Sequence, residues 1–414
     1  MNDAPSAAGR RVLVIGAGPG QAATRAALDL HAALRAAAMD SLCLLTAPAA
    51  AAPLGVDLFQ RAAADVFFHR QPWVDPFFLS CPEAGLPAAL TRVLQGWRPD
   101  IVHLQHPASF GLEGLLLLRR ALPGARLLLT LHDHLLPCGQ GPAPALALLE
   151  AAADPEAARR FFPERSAEDV HLRRIVALRF LAEPDALLCP TAFSAARHAE
   201  WGIPAERLHV LPALAPDPAP DPAPPPPGML RLAWLGPFPA SDGAREAGGP
   251  GAGLELLLAA CDLLPAGLPL RIELCGAPDL AGHAETARRI AAAAPWLSLA
   301  PLPAGHRHRL AALQPAQALL VTEAGWDDPG QTLALARAAH RPVIGPRLGA
   351  VAEAVRDGVD GLLFRPGSAL DLAQLLIRAA TEEGCLPALQ AALPPPPAPR
   401  DGLDRLLALY EGGG

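Results

Sequence analysis

The chain contains no lysine. All 34 basic residues are arginine, and against 41 acidic residues they leave a net charge of −7. The absence of lysine excludes a Walker-type phosphate loop and any lysine Schiff base, because both chemistries need the amine. The acidic balance argues against nucleic acid as a partner, since phosphate binding calls for clustered cations. Aromatic residues make up only 5%, with a single tyrosine, Tyr410, and a single asparagine, Asn2. Such gaps point to compositional bias in the source genome and to cores built from small residues. Seven cysteines lie scattered, with no C-x-x-C pair, so neither a disulfide framework nor a zinc knuckle is indicated. No apolar run of about eighteen residues escapes interruption by proline or charge, so no membrane span is expected. The opening MNDAPSAAGRR lacks the apolar stretch of a signal peptide, and a cytoplasmic protein is expected.

What is present is a long, apolar, globular chain. At 414 residues with 51% hydrophobic content, two domains are expected. Asp217 to Gly228 reads DPAPDPAPPPPG, a stiff spacer that can form neither helix nor inner strand. Before it, RRVLVIGAG reads as a buried strand and glycine turn, a helix is expected over Gln21–Met39, and a second strand over Ser41–Leu45. Further strands are expected at Asp100–Gln105, Arg126–His132 and Asp185–Cys189. After the spacer the pattern restarts with Leu230–Leu235, a helix over Leu254–Leu264 and a strand at Leu270–Cys275; shorter strands follow at Ala318–Val321 and Pro342–Ile344. Strands alternating with helices imply parallel sheets covered on both faces. The expected fold is therefore α/β: two Rossmann-like open parallel-sheet domains facing across a cleft. The boundaries are an N-terminal domain at 1–216, the linker at 217–228, a C-terminal domain at 229–392, and a proline-rich segment with a tail at 393–414.

Three segments carry candidate chemistry. Gly16, Gly18 and Gly20 follow a strand and open a helix, which suits either a tight packing turn or a loop that approaches a ligand. A dinucleotide fingerprint would want an acidic residue at the end of the second strand, where Leu44-Leu45-Thr46 stands instead. His132, Asp133 and His134 fall where a strand ends, the ligand-binding end of such a sheet. One reading puts one imidazole at the ligand with the other behind it; the alternative is a capping aspartate with satisfied histidines. A metal pair would need a third ligand, and none is near in sequence. His103 and His106 read as structural. The third segment runs from Val321 through Asp327, Asp328 and a Pro-Gly turn to a helix start near Gly330, Gln331 and Thr332. Its exposed amides suit an anion, and the carboxylates either hold sugar hydroxyls or cap the helix.

Several of these segments, in order, resemble retaining glycosyltransferase family 4 of the GT-B fold. RPDIVHLQH at Arg98–His106 is similar to a strand of its first domain, and TLHDHLLPC at Thr130–Cys138 to a turn of that domain. LLCPTAFSAARHAEWGIPAERLHVLP at Leu187–Pro212 resembles the segment that closes that domain. WDDPGQTLALARAAHRPVIGPRLGAVAEAVRDGVDGLLFRPG at Trp326–Gly367 resembles the nucleotide-sugar stretch. The resemblance implies a nucleotide-diphosphate sugar in the second domain, an acceptor held mainly by the first, and transfer with retention without a bound metal or other cofactor. It makes His132 the histidine that reaches the transferred sugar, and Asp327, or Asp328 in another register, the first of two motif acids. With Asp327 on that position, Gly330 falls on the motif glycine. Gly18, Gly20, Gly236, Gln331 and Thr332 join the donor site.

The sequence departs from the family at two places. The second motif acid falls on Leu335 or Ala336, and the arginine and lysine that neutralise the diphosphate are replaced by Pro237 and Ala252. Arg245 is the local cation that could compensate. The expected function is hexose transfer from a nucleotide sugar to a glycan or lipid-linked acceptor, in surface polysaccharide assembly. The alternative is a catalytically silent GT-B domain that binds. A group of arginines (Arg159, Arg160, Arg165, Arg173, Arg174 and Arg179) with Phe161, Phe162 and Phe180 raises a secondary expectation of weak peripheral contact with the inner membrane surface. The interleaved acids dilute that charge.

Overall fold

The computed structural model describes residues 9–16, 22–47, 53, 56–60, 65–70, 72–81, 86, 88–139, 154–214, 228–235, 252–275, 284–293, 295–300, 310, 313–322, 330–396 and 398–412. They form two compact units. The second spans Ala215–Asp401, and the closing stretch Gly402–Gly414 returns to the first.

In the first unit, short apolar runs become strands β1 (Arg11–Ile15), β2 (Asp40–Ala47), β3 (Leu58–Gln60), β4 (Val66–Arg70), β5 (Ile101–Leu104), β6 (Arg126–Thr130), β7 (Ala186–Cys189) and β8 (Leu208–Val210). They lie in the order β3-β4-β2-β1-β5-β6-β7-β8. All pairs are parallel except β3 with β4, so the expected parallel sheet carries one antiparallel edge. The order reverses at β1, whose neighbours are β2 and β5. That reversal opens a crevice at the carboxyl ends of the strands, where such sheets bind ligands.

The two-residue period of the strands divides the apolar side chains between two faces. Leu13, Ile15, Leu44, Val102 and Leu104 pack on one, against the helix Glu113–Ala121. Val12, Val14 and Cys43 pack on the other, against Ala27, Leu30 and Leu34 of the helix Ala22–Ala36. The second face also receives Leu403, Leu406 and Tyr410 from the last helix, Pro399–Glu411. There the Tyr410 hydroxyl lies 2.9 Å from Nδ1 of His103, whose Nε2 lies 2.8 Å from Thr130 Oγ1. These three buried polar groups satisfy one another inside an apolar layer. His103 is thus structural, as expected, and burial is the main cause that lowers its pKa to about 3.

Gly16 ends β1 with its amide 2.8 Å from the Leu44 carbonyl. A Cβ there would come within 2.6 Å of Leu45 Cδ2 and 2.8 Å of Ala27 Cβ, so glycine lets the helix Ala22–Ala36 approach the sheet. The first glycine of GAGPG is a packing residue.

The second unit repeats the plan with β9 (Leu230–Trp234), β10 (Leu270–Cys275), β11 (Leu297–Ala300), β12 (Ala318–Leu320), β13 (Val343–Pro346) and β14 (Gly361–Phe364), in the order β11-β10-β9-β12-β13-β14. Every pair is parallel. Leu232, Trp234, Leu254, Leu257, Leu372 and Leu376 fill one face; Leu319, Val321, Leu333 and Val351 fill the other. The Trp234 indole donates to Thr322 Oγ1 at 2.8 Å, so the one polar atom of that buried ring is satisfied. Among the described residues no helix is long and apolar enough to cross a membrane.

Candidate active site

The site begins where β5 and β6 run out of apolar residues. After Leu104 the next two residues, Gln105 and His106, are polar yet buried. The Gln105 backbone amide donates to the Ile15 carbonyl at 2.7 Å, which pins it beside β1 at the point of reversed strand order. After Thr130 the Leu131 amide still bonds the Leu188 carbonyl at 2.8 Å, and then the chain turns away. The turn is held by Asp133, whose Oδ1 accepts from the Leu135 amide at 3.0 Å where the short helix Leu135–Cys138 begins.

Two side-chain contacts tie the strand ends together. His132 Nε2 lies 2.8 Å from Gln105 Oε1, and His106 Nε2 lies 3.1 Å from Asp133 Oδ2. Burial alone would raise the Asp133 carboxyl, but the facing His106 ring and the Leu135 amide together hold it well below the usual carboxylate range. Burial also lowers the pKa of His132, to about 4. The His132 imidazole is therefore neutral at pH 7, half-buried, and meets a neutral amide rather than a carboxylate. Such a group binds and orients; it exchanges no proton near neutrality.

His134 points the other way. Its ring stacks on His198 at 5.6 Å and meets Phe193 edge-on at 6.0 Å, and burial lowers its pKa to about 3. His132 and His134 thus diverge and do not form a metal pair. Among the described residues no group of three or more His, Cys, Asp or Glu side chains could hold a metal ion. The triplet thus divides: His132 faces Gln105, Asp133 engages His106 and the Leu135 amide, and His134 packs against His198 and Phe193.

The turn is fastened from beneath by Arg173, which is 2% exposed. Its guanidinium donates to the carbonyls of Leu135 at 2.8 Å, Phe77 at 2.5 Å and Leu136. The Leu135 carbonyl also accepts the Gly139 amide at 2.8 Å, so the guanidinium reinforces a closed turn there and supplies a donor to Leu136 and Phe77. The ring of Phe162 lies 4.9 Å from the same guanidinium. This corrects the grouping of Arg173 with a lipid-facing set, because its side chain is spent inside the unit.

Of the other sequence-predicted site residues, Gly18, Gly20, Gly236, Arg245, Asp327 and Asp328 lie outside the described residues. Gly330 opens the helix Gly330–Ala338, and Gln331 and Thr332 stand half-buried in its first turn. Leu335 and Ala336, where the second motif acid would fall, are 2% and 0% exposed and belong to the core of the second unit. Gln105 and the inward position of Arg173 were not singled out from sequence. The one available signal was a polar residue directly after an apolar strand, at Gln105.

With this geometry in hand, the fold is that of the GT-B glycosyltransferases. HepE from Anabaena, solved in complex with UDP and glucose, superimposes with a TM-score of 0.60 at 14% identity, covering 92% of this chain and 93% of that one. Sucrose-phosphate synthase from Thermosynechococcus elongatus gives 0.59 at 16% identity, with 97% and 95% coverage. The lipopolysaccharide outer core galactosyltransferase WaaB gives 0.54 at 9% identity, with 96% and 99% coverage. No curated protein sequence matches the chain significantly. Residues 23–213, which hold the whole Gln105–His134 site, match the family model described as Glycosyltransferase Family 4.

Proposed function

We propose that the chain transfers a hexose from a nucleotide-diphosphate sugar to a glycan or lipid-linked acceptor, with retained anomeric configuration, in surface polysaccharide assembly. The observation that carries this reading is His132, held 2.8 Å from Gln105 just past the carboxyl end of β6, within the stretch that matches the family model. A neutral imidazole fixed in that way suits hydrogen bonding to a sugar, and positioning together with stabilisation of the departing diphosphate is the chemistry the reaction asks for. The donor is assigned to the second unit, where the helix start at Gly330, Gln331 and Thr332 offers amides to a phosphate. Asp327, Asp328, Gly236 and Arg245 complete the proposed donor contacts, Gly18 and Gly20 those from the first unit. The reading gives no metal a role. HepE, solved with UDP-glucose, makes UDP-hexoses the first donors to try.

The test is sugar release or transfer from UDP-hexoses by the full chain and by a His132→Ala variant. The variant is expected to lose about 10²-fold in rate, the scale for removing one oriented hydrogen-bonding group. Equal rates for the two proteins would overturn the assignment of His132.

A second reading is favoured by one specific observation. Leu335 and Ala336 are core residues, so a ribose-binding acid has no place on that part of the helix. A silent GT-B domain that binds a glycan, nucleotide or protein would tolerate this loss. It differs from the first reading in releasing no sugar from any nucleotide donor.

A further inference from the structure

We propose that Gln105 sets the tautomer of His132, leaving the open ring nitrogen as a hydrogen-bond acceptor, so that the ligand group it receives is a hydroxyl and not an anionic oxygen.

The inference starts from the donor and acceptor inventory. With its amide turned so that Oε1, which can only accept, lies 2.8 Å from His132 Nε2, Gln105 calls for the ring proton on Nε2. In a neutral imidazole the other nitrogen, Nδ1, then presents a lone pair. The neighbouring carboxylate cannot reverse this choice. Asp133 Oδ2 faces His106 Nε2 at 3.1 Å and its Oδ1 accepts the Leu135 amide at 3.0 Å, so both oxygens are engaged. Among the described residues Gln105 makes the one side-chain hydrogen bond to His132. Gln105 itself is 3% exposed, and its backbone is bonded to Ile15 at 2.7 Å.

The chemical class of the ligand follows from the lone pair. A hydroxyl has a proton to give to Nδ1, whereas a phosphate or carboxylate oxygen brings a second lone pair and gains nothing. The neutral amide also matters. A carboxylate in its place would favour the imidazolium and turn the same ring into a cationic donor, ready for an anion. Identifying the hydroxyl as one on a sugar rests on the function proposed above; the tautomer does not.

The experiment uses the full chain with ¹⁵N-labelled histidine and long-range ¹H–¹⁵N correlation at pH 7, with His132 assigned by its loss in His132→Asn. The wild-type ring is expected as the Nε2–H form, and Gln105→Leu should shift it to a mixture. Gln105→Glu should keep the proton on Nε2 and raise the titration midpoint of His132 by one pH unit or more, the usual effect of an adjacent opposite charge. An Nδ1–H ring in the wild type, or an unchanged ring in Gln105→Leu, overturns the proposal. If the leucine variant does not fold, an unmoved midpoint in the glutamate variant overturns it equally. None of these readouts needs a substrate. An Nε2–H ring in a protein that transfers no sugar would refute the proposed function alone.

Discussion

Arg173 shows how one residue decides the shape of the site without touching a ligand. Its three carbonyl contacts hold the turn that follows His132, and among the described residues no carboxylate forms an ion pair with it. Burial lowers its pKa to about 10, which still leaves the cation fully charged at neutral pH. Replacing it by methionine keeps much of the volume but removes the guanidinium donor from the carbonyls of Phe77 and Leu136, while Leu135 keeps the Gly139 amide. The removal of a buried charge offsets part of that loss. Arg173→Met is expected to lower the unfolding free energy by about 2–4 kcal/mol in a denaturant titration, whereas a change below about 0.5 kcal/mol would contradict this role. In the sequence Arg173 is one of a group of six arginines, and the spacing of charges says nothing about which of them faces inward. His132 was legible for the opposite reason: three polar residues directly after an apolar strand seldom belong to a core. Gln105 was not, since its contact with His132 exists only once two loop ends meet.

At the scale of elements, the strands that read clearly are those buried on both faces. β5, β6 and β7 are short apolar runs bounded by Asp, Arg, Pro or His, and such runs have nowhere to go but the middle of a parallel sheet. β3, β4, β8, β11 and β14 went unread; all lie at or beside a sheet edge, and in the first three half-exposed residues such as Phe67 and His209 blur the pattern. The last helix, Pro399–Glu411, read as a short amphipathic tail. Its place on the first unit depends on Leu403, Leu406 and Tyr410 matching a gap beside the helix Ala22–Ala36. The Tyr410 hydroxyl is the polar key to that docking. Tyr410→Phe leaves His103 Nδ1 buried without its partner, so stability is expected to fall by about 1–3 kcal/mol, seen as a lower midpoint of thermal unfolding. An unchanged midpoint would show that the hydroxyl adds nothing to packing.

For the whole molecule, two repeats of one α/β plan and a family-4-like first unit set the expectation of a nucleotide-sugar enzyme. The architecture was legible because proline punctuation and repeated strand–helix periods survive compositional drift. The donor site was less so, since Pro237, Ala252, Leu335 and Ala336 stand where the family keeps charged residues. Whether the remaining groups still grip a diphosphate is therefore the central question. Its direct measurement is calorimetric titration of the full chain with UDP, GDP and their hexose conjugates, with NAD as the control. We expect one nucleotide and its sugar conjugate to bind with micromolar affinity, while NAD does not. A folded protein that takes up none of these nucleotides would contradict the transferase account and leave the silent binding domain in its place.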